Sequence, residues 1–198
     1  MIRSCGFGAI LAGALFAAWG YIHGGLAPSA YLDAALAALA FVVPTLFLVG
    51  LAGLYAKRNG ILSWLGELGF VIGFVGSMAG TMRGLEDLIG WYDAHVLGYV
   101  NSTARGLLIN PWIDWVPVLF TGLSLVGIAT LGTKTLGVSP ALPLAMGAFG
   151  WAYLFTDHGG AVETRLGHVA FGILFSLGWV ALGGVLCYHR DAVDDKIP

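Results

Sequence analysis

Charged residues are so sparse along this chain that they divide it into long apolar intervals. None lies between Arg3 and Asp33, between Asp33 and Lys57, between Asp114 and Lys134, between Lys134 and Asp157, or between Arg165 and Arg190. A membrane-crossing helix needs about 20 mostly apolar residues, and each interval supplies one. A further stretch, 61–82, is apolar except for Glu67. The pattern predicts spans at 5–22, 34–56, 61–82, 113–133, 136–156 and 166–188. Lipid cannot satisfy free backbone groups, so the spans are either helices or strands of a closed barrel. Barrel strands are about 10 residues long and alternate apolar with polar. These intervals are twice that length, apolar on all sides and rich in Leu, Ala and Gly, so they predict helices. The fold class that follows is an all-α, polytopic membrane helix bundle with six transmembrane helices, forming one domain over 1–198.

The outer connection at 83–112 is the one long loop. Within it Leu85, Leu88, Ile89, Tyr92, Val96 and Tyr99 recur at helical spacing, with Glu86, Asp87 and Asp93 elsewhere on the wheel. This predicts an outer interfacial amphipathic helix. A helix that caps the bundle fits the same spacing. The other connections are short: Lys57-Arg58-Asn59-Gly60 makes a tight turn, and Gly137 and Pro140 separate the fourth and fifth spans.

Orientation follows from Lys and Arg. With the N-terminus inside, the inner face carries Arg3, Lys57, Arg58, Lys134, Arg190 and Lys196. The outer face carries Arg83, Arg105 and Arg165. Six against three predicts cytoplasmic N- and C-termini in a bacterial cytoplasmic (inner) membrane. The first span could also be read as a secretory signal, with small residues Ala17 and Ala18 at its end. Its apolar stretch is longer than a typical signal core, which favours a retained helix.

Composition agrees. The chain is 198 residues, 58% hydrophobic and only 10% charged, with net charge -2. A soluble domain carries about 25% charged residues, so an ordinary soluble enzyme is excluded. A disordered chain would be polar and highly charged. There is no basic footprint for nucleic acid. Two cysteines, Cys5 and Cys187, make no disulfide framework and read as free thiols at inner helix ends.

Glycine changes the picture further. It accounts for 31 residues, over twice the usual ~7% share. In the third span Gly66, Gly69, Gly73, Gly76 and Gly80 step by three and four, with Gly84 just beyond. That draws one small-residue seam along a helix face, where neighbouring backbones can approach closely. A groove for a flat ligand is the alternative use. A short echo, Val43-Pro44-Thr45-Leu46-Phe47 against Val116-Pro117-Val118-Leu119-Phe120, hints at parallel repeats. Both prolines are expected to kink their helices and free a carbonyl one turn earlier.

Candidate chemistry is thin. Glu67 is the intramembrane acid, placed about two turns (~9 Å) inside the third span, either pairing with an inner cation or forming a polar binding site. On the outer side His23, His95, His158 and His168 gather, with Asp157 beside His158. Imidazoles and a carboxylate are ligands for zinc, copper or iron, and paired imidazoles can hold haem. Interfacial histidines at helix ends are the plainer reading. No His-Glu-x-x-His, paired-Cys or haem-attachment motif is present. Ser77 and His168 lack the Gly-x-Ser-Gly context of a rhomboid-type protease. Phosphate-cradling loops are also missing.

The run Gly8-Ala9-Ile10-Leu11-Ala12-Gly13-Ala14-Leu15-Phe16-Ala17-Ala18-Trp19-Gly20-Tyr21-Ile22-His23 resembles small six-helix bacterial integral membrane proteins without assigned function. The run Gly50-Leu51-Ala52-Gly53-Leu54-Tyr55-Ala56-Lys57-Arg58 before a glycine-rich helix resembles them too. The likeness covers most of the chain in style and carries no functional residue. The helix number and inside termini are also similar to the substrate-binding subunits of energy-coupling-factor vitamin transporters. Three functions follow as expectations. The first is a non-enzymatic ligand-binding or complex-subunit bundle in the lipid bilayer, with a membrane-protein partner or a homo-oligomer. The second is a metal- or haem-binding redox protein. The third is a small-molecule transporter or its binding subunit.

Overall fold

The structure is a computed structural model and describes residues 2–25, 30–57, 64–96, 115–131, 145, 148 and 161–188, with some helix-end side chains excluded. Among the described residues there are five α-helices: α1 (Ile2–Gly25), α2 (Ala30–Lys57), α3 (Trp64–His95), α4 (Trp115–Leu131) and α5 (Ala161–Cys187). Four of them, α1, α2, α3 and α5, are long and apolar enough to cross a membrane, while α4 is apolar but shorter. The expected span 136–156 lies outside the described residues except for Ala145 and Ala148, both helical and buried. The described residues therefore bear out an all-helical bundle with several candidate spans.

Two expectations are corrected. The helix of the third span does not end at Met82, and among the described residues no separate helix begins after it. α3 continues through to His95, 32 residues in all, or about 48 Å at 1.5 Å per residue. Arg83 bridges to Glu86 and Asp87 within the helix, and such i,i+3 and i,i+4 pairs support helix through the junction. The two prolines also differ. Pro44 lies inside α2, where its missing N–H removes the usual helical donor to the Ala40 carbonyl. Pro117 falls in the first turn of α4, where an N–H has no intrahelical partner to lose.

Packing proceeds from neighbour to neighbour. α1 lies against α2 and α5, and α3 lies against α2 and α4. Ring contacts close the assembly at its centre. Phe175 of α5 meets Phe16 of α1 at 5.0 Å, Phe47 of α2 at 5.4 Å and Phe120 of α4 at 4.9 Å, all edge to face. Trp179 stacks on Phe47 at 4.8 Å. Four helices thus share one aromatic centre, and these rings are almost wholly buried. Edge-to-face pairs add about 0.5–1.5 kcal/mol each beyond the area they bury.

Glycines set how closely the outer pairs approach. A Cβ on Gly69 would lie 2.8 Å from Val126 N and 2.9 Å from the Gly122 carbonyl oxygen. One on Gly76 would meet the Leu119 backbone, 2.5 Å from its Cα. Gly122 in turn faces the Gly73 backbone, with 2.6 Å from a built Cβ to Gly73 Cα. Gly66 and Gly80 are buried on the same helix. The α1–α5 pair is built alike: a Cβ on Gly183 would lie 2.5 Å from the Gly6 oxygen. In lipid, helix association rests on such van der Waals contact rather than on hydrophobic burial.

Phe175→Ala is expected to lower stability by about 3–5 kcal/mol, because it removes the ring common to four helices. Thermal unfolding of the detergent-solubilised protein checks this. A loss as small as that of Phe7→Ala, a 69% exposed ring, would contradict it.

Candidate functional site

Polar side chains inside an apolar bundle are costly unless they find partners. Ser124 of α4 and Ser176 of α5 are buried singly, while one stretch of α3 and the part of α2 facing it bring several polar groups together. Thr45 donates to the Phe41 carbonyl at 2.8 Å, one turn back. Thr81 does the same to the Ser77 carbonyl at 2.9 Å. The two hydroxyls lie 3.3 Å apart; each has one proton, so a bond between α2 and α3 forms when one of them turns from its own carbonyl to the other hydroxyl. One residue before Thr45, Pro44 takes from the Ala40 carbonyl its usual helical donor. Gly84 of α3 covers that carbonyl: a Cβ on Gly84 would collide with Ala40 O and lie 2.5 Å from Phe41 Cα. Only glycine leaves room for that approach.

The next turn carries the ion pairs. Glu86 is 5% exposed, and its Oε2 accepts from Arg83 Nη1 at 3.2 Å. Arg83 Nε lies 3.6 Å from Asp87 Oδ1, and Asp87 is the more exposed of the two acids. One guanidinium therefore serves a buried and a solvent-side carboxylate. Beyond it, Trp91 and His95 stack at 5.1 Å with their planes 17° apart. His95 Nδ1 lies 3.0 Å from the Trp91 carbonyl oxygen. The indole Nε1 of Trp91 is buried without a hydrogen-bond partner, as is Ser77 Oγ.

The residues singled out in the sequence fall differently. Glu67 is half-buried in the first turn of α3, not two turns inside it. There a carboxylate meets the positive end of the helix dipole. His95 is exposed at the end of α3. His23 and His168 are in α1 and α5, but their side chains lie outside the described set, and Asp157 and His158 lie outside the described residues. Among the described residues no group of three or more His, Cys, Asp or Glu is placed to hold a metal ion. Cys5 and Cys187 are free thiols, and Cys187 Sγ lies 3.6 Å from the Arg3 carbonyl oxygen.

Glu86 is the residue that sequence reading missed. On an amphipathic surface helix it reads as a solvated acid. Gly84 was the available signal: it prolongs the glycine seam past Met82, so the packed face continues to the turn that holds Glu86.

An apolar cleft of about 10 Å³ opens between Phe16, Trp19, Val43, Pro44, Phe47 and Phe120. That is at the lower limit for holding one water molecule. Chemically, the α2–α3 region offers a hydrogen-bonding ladder, one buried carboxylate with its cation, and no cavity at the cleft for a substrate. Comparison of the chain with protein-family models, with curated proteins and with solved structures gives no match.

Glu86→Ala is expected to cost about 1–3 kcal/mol, because the half-buried Arg83 guanidinium loses its buried acceptor. Asp87→Ala, at the exposed end of the same cation, is expected to stay within about 1 kcal/mol. Parallel thermal unfolding of the two variants decides the order, and equal losses would contradict it.

Proposed function

We propose that this chain is an integral protein of the bacterial cytoplasmic membrane, with both termini cytoplasmic. In that setting it acts as a non-enzymatic bundle that serves a larger membrane assembly or binds a hydrophobic ligand at its surface. The observation that carries this reading is the packed centre. Phe16, Phe47, Phe120, Phe175 and Trp179 fill the space between four helices, and the cleft beside them is about 10 Å³. Small-molecule sites are usually clefts of about 300–1,000 Å³. Lys and Arg placement, six inside against three outside, supports the orientation. The bilayer is its first partner, and a membrane protein or a second copy is its next.

A transporter or its binding subunit is the second reading. It is supported by the Pro44 interruption beside the Thr45–Thr81 pair, since broken helices with polar groups line many transport sites. A metal or haem role would draw on His23, His95, His158, His168 and Asp157.

Two measurements on one preparation test these readings. The chain is expected to stay in the membrane pellet through alkaline carbonate washing and to purify in detergent without visible absorption or stoichiometric metal. A haem-type absorption band would overturn the non-enzymatic bundle in favour of the redox protein. So would about one equivalent of metal that is lost in His158→Ala or His168→Ala. Release by carbonate would overturn the membrane assignment itself.

A further inference from the structure

α3 changes its closest partner part-way along its length. Gly69 and Gly76 set it against the α4 backbone, at Val126 and Leu119. Gly84, about two turns further on, sets it against the α2 backbone at Ala40 and Phe41. Backbone stands on both sides of that last contact, so residues 30–43 of α2 and 82–95 of α3 are clasped together.

The level at which the partner changes carries a bending device on each helix. In α2, Pro44 removes the helical donor to the Ala40 carbonyl, and Thr45 Oγ bonds back to the Phe41 carbonyl. In α3, Gly76-Ser77 is a Gly/Ser pair, a recurrent site of helix kinks, and Thr81 Oγ bonds back to the Ser77 carbonyl. Such back-bonding bends helices. The two threonine hydroxyls face each other, so both weak points stand at one depth. Ser77 Oγ is wholly buried there without a partner. An unpaired buried hydroxyl disfavours the arrangement that holds it. A changed bend at this level is a route to a partner, because the Thr81 oxygen one turn on can still accept a hydrogen bond.

One wall of the apolar cleft belongs to the clasped pair. Leu39, Ala40 and Val43 line the cleft from the clasped part of α2. Phe16 and Trp19 of α1 and Leu119 and Phe120 of α4 line it from the other sides. Those other walls are held elsewhere. Leu119 lies against Gly76, and α1 approaches α2 closely at Gly8 with Val49 and at Cys5 with Gly53. Val49 and Gly53 follow Pro44 in α2, so a bend at Pro44 moves one wall and leaves these contacts in place.

We propose that residues 30–43 of α2 and 82–95 of α3 form one rigid lid, which hinges at Pro44, Thr45, Ser77 and Thr81 and opens the cleft beside Phe16 and Trp19. The structure shows the lid closed, with about 10 Å³ beneath it. A few residues suffice to absorb a hinge motion of this kind. The motion needs neither a ligand nor a partner, so it stands apart from the functional reading above.

Distances between pairs of nitroxide spin labels, read by pulsed electron resonance on the reconstituted full chain, test this. Labels go on exposed positions in a Cys5→Ala/Cys187→Ala background: Tyr31→Cys and Ile89→Cys on the lid, Leu68→Cys below the hinge and Ile173→Cys on α5. Tyr31 stands about 20 Å of helix from Pro44, so a swing of about 20° moves it by about 7 Å. The Tyr31–Ile173 and Ile89–Ile173 pairs are expected to give broad or two-peaked distributions. Tyr31–Ile89, within the lid, and Leu68–Ile173, below it, are expected to give single narrow ones. Pro44→Ala restores the missing donor and is expected to leave one peak at Tyr31–Ile173. Thr81→Val, which keeps the side-chain shape, is expected to shift the two populations and serves where Pro44→Ala does not fold. Narrow single peaks for all four pairs would overturn the hinge. A Tyr31–Ile89 distribution as broad as the others would overturn the rigid lid. Populations unchanged in the folded variants would place any motion elsewhere and overturn the assignment to these residues.

Discussion

Backbone contact along α3 is the constraint on which the rest of the arrangement depends. Gly69 and Gly76 bring this helix against the backbone of α4, and Gly84 brings it against α2 at Ala40 and Phe41. In a lipid solvent apolar side chains gain little by leaving their neighbours for one another. Close approach of two backbones gains dispersion over many atom pairs. The seam fixes the depth and rotation of α3, and every other feature of that helix inherits its placement. Glu86 is buried because Gly84, two residues before it, is held against α2. Leu68, Val71, Val75, Met78 and Met82 of α3 are exposed because the glycines take the inward face.

The other half of the bundle uses a different device. α1, α2, α4 and α5 meet through large rings around Phe175, with Trp179 stacked on Phe47. Small residues admit the rings where they would otherwise collide. Gly50 lies against the Trp179 ring, and Gly13 against Trp179 Cβ at 3.1 Å from a built Cβ. Size alternates across facing positions, and the core fills without a sizeable cleft around Phe16 and Phe120. Polar groups are few there, Ser124 of α4 bonding back to the Phe120 carbonyl and Ser176 of α5 being buried, whereas at the α2–α3 contact Pro44, Thr45 and Thr81 rearrange backbone bonding locally.

Helices α1, α2, α4 and α5 were legible because each is built on a charge-free interval, and absence of charge over about twenty residues has few physical explanations. The end of α3 was not legible. Arg83, Glu86 and Asp87 look like the end of a span when read by hydropathy. Read by spacing they are i,i+3 and i,i+4 partners that carry the helix onward. Glu67 and Glu86 exchanged roles for the same reason: hydropathy locates an acid along the chain but not around the helix. Pro44 and Pro117 look alike in sequence, yet only position within the helix decides whether a hydrogen bond is lost. The glycine seam was visible in sequence. The exposed apolar face opposite it, with Leu68, Val71, Val75 and Met78, became visible only in the side-chain exposures.

An alanine scan of the seam glycines, read by melting temperature in one detergent, tests the central role of backbone contact most directly. Alanine otherwise favours helix over glycine by about 1 kcal/mol, so the scan has opposite signs built into it. Gly76→Ala, Gly84→Ala and Gly122→Ala add a methyl where backbone atoms already stand and should lower the melting temperature. Gly73→Ala, whose nearest neighbour is the Leu51 side chain at 3.5 Å, and Gly90→Ala, with nothing within 4 Å, should leave it unchanged or raise it. A uniform response across all five positions would contradict the account.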